Sequence, residues 1–137
     1  MRVTRIGIRG YLVAATLMTL VPLAEARAQS APHLVAVKLV GKPGGAFAFE
    51  PATFKVERGD TVRFIQESNA PHNEHFKTMP KGANLRTETS GPYLMAPEST
   101  YDIVIDSRFI DGTYGIVCDP HESVGMRATM TVGPSAK

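Results

Sequence analysis

Apolar and polar residues alternate in short runs along most of this chain, with sharp turn residues between them. Residues 34–40, Leu-Val-Ala-Val-Lys-Leu-Val, are rich in β-branched side chains and predict a first strand. Gly41, Pro43, Gly44 and Gly45 then form a turn cluster, and Phe47, Phe49 and Pro51 lead into a short alternating strand at 53–56. Arg58-Gly59-Asp60 turns the chain into 61–66, where Val62 and Phe64 share one face and Arg63 takes the other. Regular alternation returns at 100–105, 112–117 and 127–132, the last with Ala128, Met130 and Val132 against Arg127, Thr129 and Thr131.

Between these runs, residues 77–97 carry Pro80, Gly82, Gly91, Pro92 and Pro97 and predict an irregular connection holding a short helical turn. No stretch before residue 77 sustains a helical period. The pattern predicts an all-β sandwich or barrel of seven or eight strands, its core built without tryptophan.

The amino end departs from that pattern. Residues 1–9 are basic and carry no acid, an apolar run spans 11–24, and Ala26-Arg27-Ala28 follows. A charged start, an apolar middle and a small-residue cleavage site predict a secretory signal peptide over 1–28. The apolar run is shorter than the ~20 residues a membrane span needs. Residues 29–137 then form one domain. Four of the 15 basic residues, Arg2, Arg5, Arg9 and Arg27, fall in the leader, against one of the 13 acidic residues, Glu25, so the net charge of +2 becomes −1 without it. Nothing in that balance calls for nucleic acid or stable membrane insertion. Export also frames the single cysteine, Cys118, which cannot form a disulfide within its own chain. Held by a metal, such a thiol has a reason to persist in an oxidising compartment, here the periplasm.

Candidate chemistry concentrates in Cys118-Asp119-Pro120-His121-Glu122-Ser123-Val124-Gly125-Met126. A thiolate, an imidazole and a thioether on one short loop form a soft donor set, suited to copper rather than to a hard cation. A blue (type 1) copper centre needs one further histidine, and His33, His72 and His75 compete for the place. His33 lies at the start of the domain, where a rigid ligand is poorly held. His72 and His75 sit three apart, so a strand carrying both would turn them to opposite sides. Position along the chain favours His72 over His75, which is expected to be a solvated strand residue. Asp119 and Glu122 are expected to be exposed and to give this end a mild negative character. Met79 and Met95 are expected to shape the nearby surface.

Two motifs, Ala70-Pro71-His72-Asn73 and the 118–126 loop, resemble those of the small cupredoxins plastocyanin, pseudoazurin and amicyanin. The Cys-x2-His-x4-Met spacing resembles plastocyanin and pseudoazurin, while Pro71-His72-Asn73-Glu74-His75-Phe76 is more similar to amicyanin, whose ligand loop is two residues shorter. Gly112-Thr113-Tyr114 and the closing strand also fit, so the resemblance covers roughly 34–133. It implies a Greek-key β-sandwich holding one type 1 copper per chain, with His72, Cys118, His121 and Met126 as metal ligands. It makes Asn73 a hydrogen-bonding tie between the two ligand loops. It places electron entry and docking at the edge of His121 within an apolar patch that includes Val124.

The implied function is a periplasmic one-electron carrier, monomeric, meeting a redox-protein donor and acceptor transiently. Copper trafficking or storage through the same ligands is the alternative. Four protein ligands leave no open coordination position of the kind metal catalysis uses, and too few histidines remain for a further copper cluster. The chain is not expected to be an enzyme.

Overall fold

A computed structural model describes residues 31–133. The expected signal peptide, 1–28, lies outside the described residues. Eight strands form two four-stranded sheets: β1 Leu34–Gly41, β2 Phe47–Glu50, β3 Thr53–Val56, β4 Thr61–Gln66, β5 His75–Thr78, β6 Thr100–Val104, β7 Gly112–Val117 and β8 Arg127–Val132. One sheet runs β2-β1-β4-β6 and the other β3-β8-β7-β5. The β1–β4 and β3–β8 pairs are parallel and the rest antiparallel. Among the described residues, no helix is long and apolar enough to cross a membrane.

Two of these strands escape the sequence pattern. β2 is the return arm of a hairpin through Lys42–Ala46, closed by the Lys42 N–H donating to Ala46 O at 2.7 Å and by register Leu39↔Phe49. Its residues, Phe47-Ala48-Phe49-Glu50, open with three apolar side chains in a row and so show no alternation. β5 lies at a sheet edge, pairs with β7, and loses register between Phe76 and Thr78. That bulge breaks the period-two signal. The segment expected to be irregular from Lys77 therefore begins inside a strand. It does carry a short helical turn, a 3₁₀ turn at Arg86–Thr89.

Where the strands alternate, the inward faces meet. Val37 and Leu39 of β1, Val62 and Phe64 of β4, Ile103 of β6, Tyr114 and Ile116 of β7 and Met130 and Val132 of β8 are all buried in one cluster. Phe76, Phe109 and Tyr114 pack edge-on or tilted, with centroids 5.6–6.1 Å apart, geometries that aromatic quadrupoles favour. The Tyr114 hydroxyl accepts from Ile110 N–H and donates to Ile110 O, both at 2.9 Å, pinning the turn ahead of β7.

This topology places three strand ends together. Parallel pairing brings the end of β1 beside the end of β4, with Leu39 opposite Gln66. The chain leaving β4 runs through Ser68 to His72. In the other sheet β7 ends at Val117 and β8 begins at Arg127, so the loop between them spans the same end of the sandwich.

Candidate metal centre

The 118–126 loop is held from within. The Cys118 N–H donates to Met126 O at 3.2 Å, and the Met126 N–H to His121 O at 3.1 Å. Asp119–Val124 is a 3₁₀ turn with Pro120 in its first turn, where a missing N–H costs nothing. Gly125 ends it at φ 90°, a left-handed conformation that a side chain resists. Cys118 and Met126 are fully buried in the core cluster, while His121 is half-exposed.

His72 arrives from the opposite sheet, fully buried. It lies in no strand. Its backbone pairs with Leu94 in an isolated bridge, Leu94 N–H donating to His72 O at 2.7 Å, which ties the 77–97 segment to this end. His72 Nδ1 lies 3.4 Å from Cys118 Sγ and 3.1 Å from His121 Nδ1, and His121 Nδ1 lies 3.5 Å from Cys118 Sγ. A point equidistant from the three atoms is about 1.9 Å from each, close to the ~2.0–2.3 Å bonds that imidazole and thiolate make to a metal of similar size. Two ring nitrogens and a sulfur aimed at one point have too few protons to satisfy one another, whereas a cation there satisfies all three. Among the described residues these three form the one such cluster of histidine, cysteine or carboxylate donors.

Electrostatics favour the same arrangement. Burial, helped by the neighbouring His121, pushes His72 down to about 4, and burial also lowers His121. Both shifts favour the neutral ring, which has a lone pair available. Burial pushes the Cys118 thiol up, so a bound cation must displace its proton.

Around these donors sit groups that the sequence anticipated, such as Asn73, and others that it did not, such as Phe47. Asn73, buried, donates to Asp119 Oδ2 at 2.8 Å and accepts the Asp119 N–H at 2.9 Å, joining the His72 loop to the Cys118 loop. Asp119 is not simply solvated, because its other oxygen meets His75 Nδ1 at 2.7 Å. His75, expected in solvent, is half-buried and engaged there. Glu122 accepts from Lys77 at 2.6 Å and lies 2.9 Å from Arg127, so the expected negative character of this end is largely offset. Phe47, from the start of β2, packs against both imidazoles, with centroids 4.9 Å from His72 and 4.2 Å from His121. Val124 is 59% exposed on the loop, and Tyr93 and Met95, flanking Leu94, are 53% and 66% exposed. Met79 is half-buried against the core.

Among the described residues, one buried side chain has no hydrogen-bond partner. Glu74 is fully buried, neither carboxylate oxygen makes a hydrogen bond, and burial, with Asp119 nearby, pushes its carboxyl up to about 8. Its side chain occupies the space beside Gly91, where a Cβ would lie 1.5 Å from Glu74 Oε1.

An eight-stranded sandwich closing over two imidazoles, a thiol and a buried thioether defines a cupredoxin. The family described as copper binding proteins, plastocyanin/azurin family, matches residues 35–133, and the chain belongs to it. Copper is accordingly its metal. Plastocyanin from Scenedesmus fuscus is 39% identical over 100 residues, covering 72% of this chain and 98% of that protein. The chloroplastic plastocyanin of Hordeum vulgare is 35% identical over 96 residues, 69% of this chain but 60% of that longer protein. Among solved structures, pseudoazurin from Methylobacterium extorquens AM1 aligns with a TM-score of 0.54 at 30% identity, covering 76% of this chain and 78% of that one. The plastocyanin of Dryopteris crassirhizoma aligns with a TM-score of 0.55 at 27% identity, covering 72% and 100%.

Proposed function

We propose that the chain is a type 1 copper protein that carries single electrons between redox partners, with His72, Cys118, His121 and Met126 as its metal ligands. The observation that carries this reading is the convergence of two imidazole nitrogens and the thiol sulfur, 3.1–3.5 Å apart, inside a buried end of the sandwich. Copper, when bound, supplies a one-electron couple between Cu(II) and Cu(I). The protein's part is to hold the donors still. The Asn73–Asp119 bonds fasten the two loops together, and the backbone bonds within 118–126 fix Cys118, His121 and Met126 relative to one another. Donors that move little between oxidation states keep the energetic cost of each transfer small. With four protein donors and no position left for a substrate, the arrangement suits a carrier and not an enzyme.

His121 is the donor nearest solvent, and its outer edge is the exit we assign to the electron. Val124, Tyr93 and Met95 provide exposed apolar surface on the segments that border the site. A small apolar contact of this kind suits partners that dock briefly and leave. Residues 1–28 are proposed as a cleaved export signal, and the working domain is proposed to be periplasmic and monomeric.

Voltammetry of the copper-loaded protein tests the carrier reading. A single reversible one-electron wave, retained through many cycles without loss of metal, is the expected result. Copper released or trapped on reduction would overturn it in favour of trafficking or storage.

A further inference from the structure

We propose that Ser68, backed by Gln66, is a positioning residue that fixes the ring orientation and tautomer of His72, so that this ligand is set before metal arrives. The inference rests on the ligand assignment above and extends it to residues outside the donor set.

The geometry is a directed chain of hydrogen bonds. Ser68 Oγ lies 2.7 Å from His72 Nε2, the ring nitrogen turned away from Cys118 and His121, and both residues are buried. A hydroxyl has one proton to give and two lone pairs to receive with. Ala70 N–H donates to Ser68 Oγ at 3.2 Å. The hydroxyl proton has two acceptors waiting, Gln66 Oε1 and Ala70 O, each at 3.3 Å. The remaining lone pair is left for His72, whose Nε2 must then carry the proton. Nδ1 is left bare, facing the thiol and the second imidazole.

Gln66 fixes the direction of this chain. Its amide nitrogen donates to Ala70 O and to Leu94 O, the latter at 3.1 Å, so its oxygen is the end that faces Ser68. There it also accepts the Ser68 N–H at 3.1 Å. Gln66 is fully buried, and its own backbone is tied to Ser99 at 2.9 Å and Glu98 at 2.8 Å. Reversing the Ser68 hydroxyl toward His72 would leave Gln66 Oε1 with one donor, the Ser68 N–H, in place of two, and put a proton on the metal-facing side of the ring. An acceptor behind a ligand imidazole also strengthens the ring as a donor, which favours Cu(II) over Cu(I).

Two arms test the proposal. The first needs no copper: nitrogen NMR of the metal-free protein near neutral pH, for wild type and Ser68→Ala. One His72 tautomer, protonated at Nε2 with slow solvent exchange, is expected in wild type, and a mixture in the variant. A wild-type His72 protonated at Nδ1, or identical spectra in both proteins, would overturn the proposal whatever the metal reading. The second arm compares Cu(II) affinity and reduction potential. Ser68→Ala is expected to lose about 10–100-fold in Cu(II) affinity and less in Cu(I) affinity. Its potential should rise by about 59 mV for each tenfold of difference, and Ser68→Thr should restore both. Unchanged affinity and potential in Ser68→Ala would overturn the positioning role. A wild-type protein that binds no copper would instead overturn the ligand assignment and leave the first arm standing.

Discussion

Phe47 lies against His121 with ring centroids 4.2 Å apart and planes tilted by 40°, and the same ring meets His72 edge-on at 4.9 Å. One side chain from β2 thereby covers both imidazoles of the candidate centre. It excludes water from the rings and lowers the local dielectric, which disfavours the more highly charged oxidised site. Phe47→Leu should lower the reduction potential and cost on the order of 1 kcal/mol in stability, the scale of a lost aromatic pair. Voltammetry and urea denaturation of the two proteins check both effects.

Glu74 makes stability depend on pH. Its folded carboxyl holds its proton up to about 8, against an ordinary value of 4.5. A group that binds its proton more tightly when folded stabilises the fold fully below its unfolded value. That contribution is lost as pH rises through the folded value. The metal-free protein should therefore weaken between about pH 4.5 and 8, at up to about 1.4 kcal/mol per pH unit. Glu74→Gln should flatten the curve over that window. Denaturation midpoints across the range provide the check.

Gly91 and Glu74 should behave as a coupled pair. A methyl group at Gly91 would lie 1.5 Å from Glu74 Oε1 and 2.8 Å from Tyr101 Cε1. Gly91→Ala alone should cost about 1–3 kcal/mol through overpacking. Combined with Glu74→Ala, much of that cost should disappear, a coupling of about 0.5–3 kcal/mol in a double-mutant cycle. Strict additivity would mean the two side chains do not share this space.

Asn73→Ala removes both bonds that tie the His72 loop to Asp119. A loss of about 2 kcal/mol in the metal-free protein is expected, the scale of polar groups left unpaired on a partly buried tie. Thermal melts measure it directly.

The sequence carried the local signals well and the non-local ones poorly. β1, β4, β7 and β8 alternate long enough to be read from their own residues, and the 118–126 loop holds three candidate donors within nine positions. β2 escapes because Phe47-Ala48-Phe49 is apolar throughout and does not alternate, and β5 beyond His75 escapes because its bulge breaks the period. Phe47 and Ser68 take their meaning from the pairing of β1 with β2 and with β4, which no local pattern encodes. A clue to Gln66 was present: it falls on the same face as Val62 and Phe64, a polar side chain where the period calls for an apolar one. Glu74 left no such trace, since an acid between Asn73 and His75 reads as surface until its neighbour Gly91 is seen.

The central claim is that Cys118 and the two imidazoles converge on one copper ion. The visible and EPR spectra of the protein after Cu(II) addition, repeated with Cys118→Ser, test it most directly. An intense thiolate-to-copper band with narrow copper hyperfine splitting, both lost in the variant and both bleached reversibly by reduction, is the predicted result. A pale spectrum of ordinary tetragonal copper, unchanged by Cys118→Ser, would contradict it.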